Sequence, residues 1–211
     1  MNDISKSVRQ TGLLFVPIKL GTMLFLLLFL ACKADIEPID GFTDPVFYAH
    51  YRLENGTDTV QLVAGVEKIY HFTDFTTGDF IVCTGAFALV TCPGADCPGS
   101  VKFEFQGKTI DHVLDKTIFE AGERPYRDAA APEGGSVAIQ WIDPDGRSWR
   151  SDRSVQESGT YFRILRSEAY FNNEKGQMTQ KMEIAYSCRL SKEGGQEVLF
   201  DGTGVVAVAY P

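Results

Sequence analysis

Residues 181–190 read Lys-Met-Glu-Ile-Ala-Tyr-Ser-Cys-Arg-Leu, so that Met182, Ile184, Tyr186, Cys188 and Leu190 fall on every second position. A period of two is the spacing of a β-strand with one buried face. It also fixes the register, because a slip by one residue would turn all of these side chains to water. Lys181, Glu183, Ser187 and Arg189 line the opposite face. The same alternation recurs at Val101, Phe103 and Phe105 and at Val137, Ile139 and Trp141.

Further short runs rich in Val, Phe, Tyr and Thr, cut by Gly, Asp and Pro, predict strands over 46–53, 59–63, 68–72, 79–90, 147–151, 161–166, 169–171, 197–200 and 205–210. Residues 205–209 carry no polar side chain, which predicts a central strand covered on both faces. Asn55-Gly56, Asp143-Pro144-Asp145-Gly146 and Asn172-Asn173-Glu174-Lys175-Gly176 supply turns. Ile110, Val113, Leu114, Thr117 and Ile118 fall at helical spacing and predict one short amphipathic helix or an irregular crossover. Residues 128–135 break every period. The expected fold is mainly β, with two small immunoglobulin-like antiparallel β-sandwich halves, 42–127 and 128–211. One larger β-sandwich is the alternative.

The N-terminus is of another kind. Lys6, Arg9 and Lys19 precede an uncharged run, 20–31, which ends at Ala31 before Cys32. A basic start, an apolar middle and a small residue at the end form the layout of a secretory signal. At about 1.5 Å per helical residue the run spans roughly 18 Å, short of the roughly 30 Å of bilayer hydrocarbon. Residues 32–41 are polar and acidic and read as a tether.

Residues 1–31 hold three of the 20 basic and one of the 28 acidic residues, which leaves 17 against 27, a net charge of −10, in the remainder. An acidic surface repels phosphate backbones, so nucleic acid is excluded as a partner. Beyond Cys32 the cysteines are Cys83, Cys92, Cys97 and Cys188, an even number that favours disulfides in an exported chain. Cys92 and Cys97 bracket Pro-Gly-Ala-Asp, a turn able to bring the two sulfurs together. Cys83 and Cys188 lie on apolar faces and either pair across the two halves or stay as buried thiols.

No catalytic constellation stands out. His50, His71 and His112 do not cluster, and neither His-Glu-x-x-His nor Gly-x-Ser-x-Gly occurs. His50 and His71 fall inside predicted strands. Asp143 and Asp145 begin like a calcium loop, but Arg147 stands where a third oxygen ligand belongs. No cofactor or metal is expected. Trp149, Tyr161, Tyr170 and Phe171 fall near strand ends or hairpins, where flat rings stack on sugars, and are the ligand-binding candidates; the competing assignment for these rings is the core.

Phe29-Leu30-Ala31-Cys32 resembles the lipobox of bacterial lipoproteins, with Phe29 and Leu30 where that family prefers Leu and a small residue. The resemblance implies cleavage before Cys32 and lipidation of its sulfur; an uncleaved signal anchor and ordinary signal cleavage are the alternatives. Val137 to Trp149 resembles the strand-turn-strand of immunoglobulin-like and PKD-like modules. Ala64 to Tyr70, Thr84 to Phe87 and Cys92 to Phe105 are similar to Bacteroidota envelope lipoproteins with a paired-cysteine hairpin. These resemblances imply a membrane-anchored protein of the envelope, on the periplasmic or the outer face of an outer membrane. The expected function is non-catalytic binding or assembly with a protein or glycan. The alternatives are a carboxylate-dependent polysaccharide hydrolase and a purely structural lipoprotein.

Overall fold

The computed structural model describes residues 47–54, 56, 59–92, 96–110, 113–128 and 134–211. The apolar run 20–31, Cys32 and the tether lie outside the described residues, as do Asn55 and His112. Thirteen strands are present among the described residues: β1 (Tyr48–Leu53), β2 (Val60–Val63), β3 (Ile69–Thr77), β4 (Ile81–Leu89), β5 (Val101–Gly107), β6 (Thr109–Ile110), β7 (Val113–Leu114), β8 (Gly122–Arg124), β9 (Ser136–Ile142), β10 (Ser148–Arg150), β11 (Tyr161–Tyr170), β12 (Met178–Lys192) and β13 (Glu197–Tyr210). The fold is mainly β and its strand pairs are antiparallel.

Two pairs of predicted strands are single strands. Residues 161–166 and 169–171 join as β11, with a register shift between Ile164 and Arg166. Residues 197–200 and 205–210 join as β13 through Asp201-Gly202-Thr203-Gly204, the stretch left between the two predicted strands. The glycines are there for close approach. A Cβ on Gly202 would collide with the His50 carbonyl oxygen and the Tyr186 hydroxyl, and one on Gly204 would press on the Tyr48 carbonyl oxygen. Of the two expectations for 110–118, the amphipathic helix does not form: the segment holds the small hairpin β6–β7 followed by one 3-10 turn, Lys116–Phe119. Asp115 opens that turn by accepting the Thr117 N–H, and the Arg124 guanidinium closes it on the carbonyls of Thr117, Ile118 and Glu120.

Eleven strands form one hydrogen-bonded sheet in the order β2-β1-β13-β12-β10-β9-β5-β4-β3, with β11 on β12 and β8 on β11. β12 is the branch point: from Thr179 to Ser187 it pairs with β11, and at Ser191 and Lys192 it pairs with β10. Two leaves diverge from it and fold over each other in a sandwich- or barrel-like arrangement. Phe103 meets Tyr186 at 5.3 Å between ring centroids, Phe105 meets Phe162 at 5.5 Å and Trp141 meets Phe200 at 6.2 Å. Val206 to Tyr210 are all buried, as the apolar run at 205–209 predicts.

The two separate halves expected on either side of Asp128 are not found. β1 pairs with β13 and β5 with β9, so strands of 42–127 and of 128–211 share one sheet and one core. A run of Ala, Pro and Gly breaks local periodicity, but the backbone bonds that define a domain here are non-local. Cys83 and Cys188 form no cross-link: both are buried free thiols inside that core. Burial pushes the Cys83 thiol up to about 12, and the Cys188 thiol higher still. Cys92 and Cys97 are bonded, as the sequence suggests.

Candidate functional site

The site lies where the two leaves close on each other. β1 begins at Tyr48, opposite Val205, and leaves the last residues of β13 without that neighbour. A side chain takes the place of a strand there: the Ala207 N–H donates to Nε2 of His71 on β3, at 3.2 Å. The Ala207 carbonyl oxygen lies against Gly85 of β4 so closely that a Cβ there would collide with it. A ring nitrogen and a bare backbone thus seal what would otherwise be an open edge.

His71 is held as a neutral acceptor. The Phe47 ring stacks on it at 4.5 Å and 13°, and Phe87 meets it edge-on at 4.8 Å. Burial lowers its pKa to about 3. Because Nε2 accepts, the ring proton is on Nδ1.

In front of this seam opens a cleft of about 480 Å3, lined by Phe47, His71, Phe72, Ala86 and Ala207 on one side and by Tyr170, Phe171 and the β11–β12 hairpin on the other. That volume is within the usual range for ligand pockets. Tyr170 meets Phe47 edge-on at 5.4 Å and Phe171 at 5.1 Å, and Phe171 is 70% exposed. The polar rim is occupied by its own partners. Lys175 Nζ pairs with Asp74 at 2.7 Å, and this hydrogen bond holds the Asp74 carboxyl below its usual range. Asn173 Nδ2 donates to Thr73 Oγ1 at 3.0 Å and to Gln177 Oε1, while Asn173 Oδ1 accepts the N–H of Lys175 and of Gln177. What the cleft offers a ligand is therefore chiefly rings and methyl groups.

Of the aromatic candidates, Tyr170 and Phe171 belong to the cleft. Tyr161 lies elsewhere on β11, and its carbonyl accepts the Tyr126 hydroxyl at 2.8 Å. Trp149 is not a surface platform: it is 6% exposed and packs on Trp141 at 5.9 Å. Alternation along β10 turns Trp149 inward and leaves Ser148 and Arg150 on the other face. Its Nε1 donates to Asp143 Oδ2 at 3.0 Å. Asp143 also accepts the Asp145 N–H, the Arg147 N–H and Arg147 Nε. Against the cost of burial, these donors hold its carboxyl down to about 2, so Asp143 and Asp145 build a turn. Sequence reasoning missed the joint role of Phe47 and His71. The signal was the alternation that puts His71 on the inward face of β3 with Ile69, but nothing local announces Ala207 as its partner.

A second polar region lies on the outer face of β5, β9 and β10. Arg127 Nη2 pairs with Glu104 and, at 2.9 Å, with Asp152; Arg150 Nη2 reaches Asp152 at 2.7 Å and Glu104 at 3.1 Å; Lys102 joins Glu104 at 3.3 Å. Burial raises the pKa of both carboxyls, but the cationic side chains outweigh it and hold both below the usual range. A general acid in glycoside hydrolysis needs the opposite, a raised pKa.

Among the described residues no group of three or more His, Cys, Asp or Glu side chains is placed to hold a metal ion, and no helix is long and apolar enough to cross a membrane. Fold and site together define an antiparallel, sandwich- or barrel-like β protein with an aromatic cleft at its seam. No family model matches the chain, and neither does any curated protein or solved structure.

Proposed function

We propose that this chain is a lipid-anchored, non-catalytic binding module of the cell envelope, and that the seam cleft receives an apolar segment of a protein partner. The observation that carries the reading is the cleft itself. Phe47, Phe72, Tyr170 and Phe171 are gathered around one opening, and Phe171 is left 70% exposed. An exposed ring at a concave site is costly to leave in water and contributes binding when covered. The anchor rests on Ala31-Cys32 and the basic, then apolar, run before it.

A glycan is the second reading, favoured by the same exposed ring beside Asp74 and Glu174. Protein stands ahead because the rim's hydrogen-bonding groups, which a sugar would need, are engaged with one another. A cross-linking pull-down from envelope extract, run beside a glycan array, tests both. The ligand found in either is expected to bind at least tenfold more weakly to Phe171→Ala and Tyr170→Ala, a loss of about 1.4 kcal/mol or more. A ligand indifferent to both substitutions moves the site elsewhere.

A further inference from the structure

A second exposed apolar feature lies outside the cleft. Val66, Leu89 and Val90 are 52%, 42% and 45% exposed, on two adjoining turns. The Ile69 N–H donates to the Val66 carbonyl at 2.9 Å, Ile69 pairs with Leu89, and the Val90 N–H donates to the Lys68 carbonyl at 2.7 Å, so the three residues belong to one tip. The tip is held in shape. Glu67 and Lys68, neither a glycine, adopt φ of 50° and 62°, a conformation that is costly for such side chains and persists only where the surroundings impose it. Just beyond Val90 the Cys92–Cys97 bond closes the following loop.

The position of the chain's entry gives the tip a partner. The Phe47 carbonyl accepts the Ala64 N–H at 3.0 Å, so the polypeptide coming from Cys32 enters the fold at the base of the same turn. Residues 33–46 separate Cys32 from Phe47, at most roughly 50 Å of chain. From the shared location of entry and tip we infer that Val66, Leu89 and Val90 rest on the lipid surface to which the chain is anchored, which orients the fold on the bilayer. This rests on the anchor reading above. Exposed aliphatic side chains suit the boundary between headgroups and acyl chains, where such contacts bury about 5 to 10 Å deep. Lys68, exposed on the same turn, can reach headgroup phosphates.

The test uses the full chain, exported and purified from a bacterium, and reconstituted in vesicles of phosphatidylethanolamine and phosphatidylglycerol with brominated acyl chains. Val90→Trp is compared with Val155→Trp, which sits on the loop between Arg153 and β11 at an 86% exposed position. Trp141 and Trp149 contribute the same background to both. Bromine is expected to remove about half of the added emission from Val90→Trp, as for a side chain at the acyl boundary, and almost none from Val155→Trp. Val66→Trp repeats the measurement on the neighbouring turn, so that one misfolded variant does not decide it. Lipidated protein in which the tip and Val155→Trp respond alike overturns the tip assignment alone. An intact mass lacking the diacylglyceryl group on Cys32 overturns the anchor reading, and this inference with it.

Discussion

The seam cleft and the charged face of β5, β9 and β10 solve the same problem, a polar group taken out of water, in opposite ways. At the seam the group is neutral: His71 gives up its proton and accepts one backbone N–H, with rings around it. On the other face the groups stay charged, and Glu104, Asp152, Arg127, Arg150 and Lys102 saturate one another. A saturated network has little left for a ligand. A neutral, ring-lined seam leaves apolar surface uncovered.

The largest effect should come from unbalancing the charged face. Arg127→Ala strips Glu104 and Asp152 of a shared partner and should cost about 3 to 5 kcal/mol in urea unfolding. Replacing Glu104, Asp152, Arg127 and Arg150 together by Leu, Leu, Met and Met should restore most of that stability, because Lys102 keeps Asp96 and no other charge of the network is left unpaired. A quadruple variant no better than Arg127→Ala would show that the ions contribute more than mutual neutralisation.

At the seam, Gly85→Ala should cost about 2 to 3 kcal/mol, because the new Cβ meets the Ala207 carbonyl and the leaves must part. A thermal melt unchanged within error would mean that the Ala207 carbonyl does not close on Gly85.

pH separates the two regions. The unfolded chain takes up a proton at His71 near its ordinary value of 6.5, whereas the folded chain refuses it until about 3. Stability therefore falls as pH drops from about 6.5 towards 3, by up to a few kcal/mol, and His71→Gln should flatten that slope. The lowered carboxyls of Glu104 and Asp152 contribute stability above about pH 4 that is lost below it, so their loss starts later. A wild-type stability profile flat between pH 6.5 and 5 would contradict the neutral imidazole.

Smaller changes follow. Cys92→Ser with Cys97→Ser opens a very short loop and should cost at most about 2 kcal/mol. Phe171→Ala should move stability by no more than about 0.5 kcal/mol, since the ring is mostly in water, while weakening the cleft's ligand most. Trp149→Ala should do the reverse, destabilising by about 3 kcal/mol through the core without touching ligand affinity.

The strands were legible wherever burial alternates: Met182 to Leu190, Val101 to Phe105 and Val137 to Trp141 read directly from period two. Asp201 to Gly204 was not legible as strand, because the period of two lapses at its two glycines, which the packed sheet uses for close backbone approach. Half of the candidate site was legible in the same way. Tyr170 and Phe171 stand out beside a hairpin, but Trp149 looks identical in the sequence, and only its place inside the core separates it from them.

The sequence by itself determined which segments extend, which face of each goes inward, the short Cys92–Cys97 pairing and the acidic balance, because all of these depend on residues a few positions apart. The tertiary structure alone decided that strands across Asp128 share one sheet, that Cys83 and Cys188 stay apart, and that Phe47, His71 and Ala207 meet. Those outcomes depend on hydrogen bonds and contacts between residues tens to more than a hundred positions apart, and no local spacing carries that information.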